Sequence, residues 1–203
     1  MRSKGKEQAA PPQEGTPGAE TRSGQGPSDA ALALAARAGE AWAQEALFRR
    51  HAPGLKRLVF RILPSEADAD DVVQDAFLTA FQRLGQLDET GAFAPWLRSI
   101  AVRRSYKVLR RRRLRRRLGF RDAPLFDPDA AIAPGAPPDV VRELSEIYEA
   151  VEGLPPEERV ALLLQRVEGL PLAEVAEQMG VSLATVKRRI AAAEKRLDKR
   201  LGR

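Results

Sequence analysis

The chain has 203 residues, with 34 Lys and Arg against 28 Asp and Glu for a formal net charge of +6, and 15 each of Gly and Pro. It has no Cys and a single His, His51, which excludes disulfides and thiolate chemistry and argues against zinc catalysis or a Ser-His-Asp triad, so an enzyme with a metal or other cofactor is not expected. No apolar run approaches the roughly 18 residues of a membrane span and the N-terminus lacks an apolar signal segment, so a cytoplasmic protein without membrane insertion is expected.

Residues 1–28 contain no Val, Ile, Leu or aromatic residue. Such a segment has nothing to bury against its ordering entropy, which predicts a disordered tail. Helical spacing starts at Asp29 with Ser28 or Asp29 as N-cap, is interrupted at Gly39, and resumes to His51. Pro53 suits the first turn of a third helix whose apolar face is Leu55, Leu58, Val59, Ile62 and Leu63, stopped by Pro64. Ser65 then caps a long helix in which Val72, Val73, Ala76, Phe77, Ala80, Phe81 and Leu84 recur at i, i+3 and i+4. Residues 85–91 read as a loop. Phe93, Trp96, Leu97, Ile100 and Ala101 open another helix, with Pro95 in its first turn, that runs into an arginine tract ending near Leu118.

Residues 119–139 hold five Pro and two Gly, the composition of a flexible linker. Helical spacing returns over 140–151 and again after Pro155-Pro156, where Glu157 and Glu158 oppose the positive end of a helix dipole and Val160, Leu163, Leu164 and Val167 form the buried stripe. A short helix over 171–179, a turn at Gly180, and Ser182 as N-cap of a last helix with Val186, Ile190, Ala193, Leu197 and Leu201 on one face make a helix-turn-helix. The expected fold is therefore all-α, with two small helical domains at 29–118 and 140–203 joined by the linker.

Charge is unevenly distributed. Between Ile62 and Gln82 stand five acids (Glu66, Asp68, Asp70, Asp71, Asp75) and no Lys or Arg, whereas residues 103–117 hold ten cations in fifteen positions. Like charges at i+4 repel, and no acid within the tract relieves them. A polyanion would, and Phe93, Trp96 and Tyr106 nearby offer either core packing or surfaces on which unpaired bases stack. In the helix-turn-helix, Lys187, Arg188 and Arg189 fall in the early turns of the recognition helix, where major-groove contact is expected. His51 has no second imidazole and reads as a packing residue. The carboxylates of residues 66–75 are spread around a helix axis and lack a calcium-loop signature, so no metal site is expected.

These residues carry a resemblance. The blocks DADDVVQDAFLTAFQRL (68–84) and FAPWLRSIAVRRSYKVLRRR (93–112), preceded by Gly39, Ala43, Leu47, Phe48, Arg50 and Pro53, and the later block GLPPEERVALLLQRVEGLPLAEVAEQMGVSLATVKRRI (153–190) resemble regions 2 and 4 of the extracytoplasmic-function (group IV) sigma factors of the sigma-70 family. The resemblance implies that Asp71, Gln74 and Asp75 dock on the clamp helices of the RNA polymerase β′ subunit and that region 4 meets the β flap. It implies that the loop after Leu84, with Trp96, Arg103, Lys107, Arg110 and Arg111, melts and captures the minus-10 element of promoter DNA. Ser182, Thr185, Lys187, Arg188 and Arg189 would read the minus-35 element. It further implies a monomer when free and an anti-sigma factor as partner.

The chain departs from the family pattern in four places, one of them Gln44, which stands where an aromatic is usual. Arg103 stands where Asn is usual, Lys107 where Asp or Asn is usual, and Ala191-Ala192 replaces an aromatic-Arg or His-Arg pair. Arg103 and Lys107 replace an amide pocket by cations one turn apart, trading base discrimination for phosphate affinity. A second function thus stands beside promoter recognition, namely a sigma-like adaptor that sequesters an anti-sigma factor without reading DNA. A conventional helix-turn-helix repressor would leave the first domain unexplained and would bind a palindrome as a dimer.

Overall fold

A computed structural model describes residues 26–120 and 135–202, and among these every regular element is helical. The disordered-tail expectation for 1–25 and most of the linker, 121–134, lie outside the described residues.

The first unit contains α1 (Asp29–Arg37), α2 (Ala41–Ile62), α3 (Glu66–Gln82) and α4 (Phe93–Arg117). Its helix starts are set locally. The Ser28 hydroxyl accepts from the Ala31 N–H and the Ser65 hydroxyl from the Asp68 N–H, each at 3.3 Å. The turn between α1 and α2 passes through Gly39 at φ +94°, which a side chain would disfavour. α1, α3 and α4 all pack against α2, and α4 also packs against α3. The shared core is built from Leu32, Leu47, Val59, Ile62, Phe77 and Phe93, all essentially inaccessible.

Two expectations for this unit fail. Pro53 does not open a helix: it lies inside the 22-residue α2. Ala43 and Leu47 before it continue in the same buried face as Leu55, Leu58 and Val59 after it, so the burial of one long face outweighs the lost backbone hydrogen bond. The segment after α3 is also more ordered than a plain loop. It forms two 3-10 turns, Leu84–Gln86 and Thr90–Ala92, with Leu84 and Leu87 buried.

The second unit contains α5 (Pro138–Glu152), α6 (Pro156–Arg166), α7 (Leu172–Met179) and α8 (Leu183–Leu201). Leu154, Val160, Leu164, Val175, Val186, Ile190 and Ala193 form its core. Val167 was expected in that stripe, but α6 ends at Arg166, and Val167 turns outward as its C-cap, 52% exposed. Gly180 closes α7 in the left-handed region at φ +65°. The two units are packed together rather than held apart. α4 lies against both α6 and α7, α2 also touches α6, and one apolar cluster runs through both units.

Candidate nucleic-acid and protein interfaces

The acidic helix α3 is partly neutralised from within. Lys56 of α2 places its Nζ 2.8 Å from both Glu66 and Asp70, and these carboxylates raise its pKa. On the other flank Arg104 pairs with Asp75 at 2.5 Å and donates to the Thr79 hydroxyl at 2.6 Å, while Arg112 pairs with Asp68. Of the three expected polymerase contacts, Asp71 and Gln74 are exposed, and Asp75 is exposed but held by Arg104. The fold sets the acidic and basic helices side by side and cross-links their shared edge.

α4 carries the expected minus-10 residues. Phe93 is core, His51 lies against its ring with centroids 5.7 Å apart, and His51 Nε2 stands 2.8 Å from Asp29, a packing role as expected. Trp96 is half-buried, its ring 6.4 Å from that of Phe93, so one part of the indole packs while another meets solvent. Lys107, Arg110 and Arg111 are exposed and line a cleft of about 850 Å³ between α4, the start of α6 and Arg196 of α8. Arg103 reaches toward the second unit. Its Nε donates to the Gln178 carbonyl at 3.3 Å and its Nη2 to the Ser99 hydroxyl at 3.1 Å.

In the helix-turn-helix, the Ser182 hydroxyl accepts from the Thr185 N–H at 3.3 Å and lies 2.9 Å from the Thr185 hydroxyl. These two expected minus-35 contacts therefore start the recognition helix α8. Lys187 and Arg188 are exposed on it, whereas Arg189 is half-buried and lines a small cavity of about 70 Å³ together with Arg103 and Tyr106. Ala191 is exposed and Ala192 half-buried, so the altered pair leaves a smooth, low-relief surface beside the basic residues.

The interface between units has no local sequence signature. Arg159 of α6 is buried there at 5% exposure, its Nε without a hydrogen-bond partner. Burial lowers its pKa to about 10; Glu152 opposes the shift, and Arg116 and Arg112 add to it. Glu152 is itself paired with Arg116, and Arg61 of α2 pairs with Glu168 beyond α6. Sequence reasoning missed Arg159 because its neighbours on α4 are more than forty positions away along the chain.

A long basic helix thus lies beside an acidic one and is followed by a capped helix-turn-helix with exposed cations, the order of elements that the resemblance to sigma factors implies. Residues 47–115 match the model of sigma-70 region 2 and residues 144–197 that of sigma-70 region 4. The ECF RNA polymerase sigma factor SigM of Mycobacterium tuberculosis is 36% identical over 176 residues, covering 86% of this chain and 85% of its own. The ECF RNA polymerase sigma-E factor of Escherichia coli is 30% identical over 181 residues, covering 86% and 94%. The solved structure of CnrH, in complex with the cytosolic domain of CnrY, matches with a TM-score of 0.57 at 27% identity, covering 86% of this chain and 97% of CnrH. The chain belongs to the ECF sigma factors of the sigma-70 family. No described helix is long and apolar enough to cross a membrane.

Proposed function

We propose that this chain binds core RNA polymerase and directs it to promoters as an ECF (group IV) sigma factor, without making or breaking a covalent bond itself. The observation that carries this reading is the pairing of region 2 and region 4 matches with exposed cations on both α4 and α8. The exposed edge of α3 with Asp71, Gln74 and Asp75 suits a basic partner such as the β′ clamp helices, and the second unit is assigned to the β flap. Trp96 supplies a stacking surface about three turns before the exposed cations Lys107, Arg110 and Arg111 on the same helix, and an unstacked strand of the minus-10 element running along α4 would meet both. Lys187 and Arg188 are placed for the major groove of the minus-35 element, with Arg189 joining them once it leaves its cavity. An anti-sigma factor is the expected partner that holds the chain inactive, consistent with CnrH having been solved in complex with the cytosolic domain of CnrY.

The described arrangement is then a resting form. Elements 25 base pairs apart along a duplex are separated by roughly 85 Å, whereas Arg103 and Arg189 line one small cavity. Reading both elements together requires the two units to part.

Run-off transcription with core polymerase tests the proposal. A promoter-dependent transcript is expected, and its loss in an Asp71→Arg, Asp75→Arg double variant. Absence of any promoter-dependent transcript would overturn it. The adaptor reading is favoured by one observation, the hydrogen bond that ties Arg103 to the Gln178 carbonyl of the second unit. It predicts no pull-down of core polymerase by the wild-type chain.

A further inference from the structure

A cavity of about 350 Å³ lies between α2 and the start of α4, on residues to which neither the polymerase nor the promoter contacts were assigned. Arg50, Arg57 and Arg61 reach it from α2 at spacings of seven and four residues, which set them on one helix face. Arg98 approaches from α4, and Ala94 places the first turn of that 25-residue helix at the rim. The macrodipole adds partial positive charge at that end.

Four guanidinium groups in one cavity are unfavourable unless anions offset them. Arg50 is satisfied by Asp29 at 2.6 Å and by the Pro27 carbonyl at 2.8 Å. Arg61 is satisfied by Glu168, which comes from the other unit and has its side chain only 21% exposed. No ion pair or hydrogen bond among the described residues engages Arg57 or Arg98. The cavity therefore already takes one carboxylate oxygen and retains two planar donor forks with nothing to bind. Such forks match tetrahedral oxyanions through paired N–H donors.

We infer that this cavity is a binding site for a phosphate-bearing anion, and that Glu168 is the intramolecular competitor occupying it while the two units are packed together. An anion bridging Arg57, Arg61 and Arg98 takes over the donors that Arg61 gives to Glu168, and so removes one of the ties between the units. The inference does not depend on the promoter assignments above.

The test is calorimetric titration of the full-length chain with inorganic pyrophosphate at low ionic strength. Saturable one-to-one binding is expected. An Arg57→Ala, Arg98→Ala double variant should bind about tenfold or more weakly, and Glu168→Gln, which removes the competing charge, should bind several-fold more tightly. Circular dichroism and thermal midpoints establish that both variants are folded. Competition arms separate the sources of the phosphate. Displacement of pyrophosphate by a nucleoside triphosphate but not by a short single-stranded DNA assigns the site to a small phosphorylated ligand, and displacement by the DNA assigns it to a nucleic-acid backbone. Unsaturable binding, or binding equal in wild type and the double variant, overturns the site. Unchanged affinity in Glu168→Gln overturns the competition.

Discussion

Two side chains show how differently single residues can be read. Ser182 is an N-cap by position and by geometry, and Ser182→Ala should lower stability by about 1 kcal/mol, measured by urea unfolding, with Lys187 and Arg188 displaced as the first turn of α8 frays. That role was legible because a cap depends on three neighbouring residues. Arg159 was not legible: nothing within α6 says that it will be covered by α4. Its pKa, lowered to about 10 by burial, sets the sign of its effect. A cation whose folded pKa is below its unfolded value destabilises the fold at all pH values below about 10, and the cost is relieved only as the pH rises beyond that value. Titration near neutrality will therefore leave it unseen. Replacement will not: Arg159→Met, with Glu152 still held by Arg116, should raise the thermal midpoint, by about 1 kcal/mol or more in stability.

Among the elements, α3 and α8 followed from periodicity and caps, since both have a Ser N-cap and an apolar stripe repeating at helical spacing. α2 did not, because proline chemistry and burial oppose one another there and only tertiary packing decides between them. The lost hydrogen bond remains a local defect in an exposed position. Pro53→Ala should therefore stabilise the chain, by up to about 3 kcal/mol, with the helix otherwise unchanged by circular dichroism. The acidic character of α3 was visible in the sequence, but its partners were not. Asp68 and Arg112 are 44 positions apart and meet only because α3 and α4 pack side by side.

At the level of the whole molecule, the contact between units combines a shared apolar cluster with polar ties and a buried cation. Arg103–Gln178, Arg61–Glu168 and Arg116–Glu152 tie the units together, while the cluster of Arg159, Arg112 and Arg116 opposes them. Such an interface is suited to opening. Arg103→Asn removes one tie and restores the residue usual in the family, so small-angle scattering should report a larger radius of gyration than for wild type. The same variant should sharpen discrimination at the minus-10 element while weakening overall affinity. An unchanged radius together with an unchanged affinity would show that Arg103 serves neither function.

The ion pairs that tie α4 to α3 and α5 also limit how many counterions DNA binding can release. Ten cations lie in residues 103–117; Arg104, Arg112 and Arg116 are held by carboxylates and Arg115 is also engaged, which leaves at most six to displace ions from a strand. The slope of log affinity against log salt contributed by this helix should therefore not be steeper than about −4 on single-stranded DNA, compared with about −7 if every cation were available. The residues that fix α4 in place thus also set how strongly the protein senses the ionic strength around it.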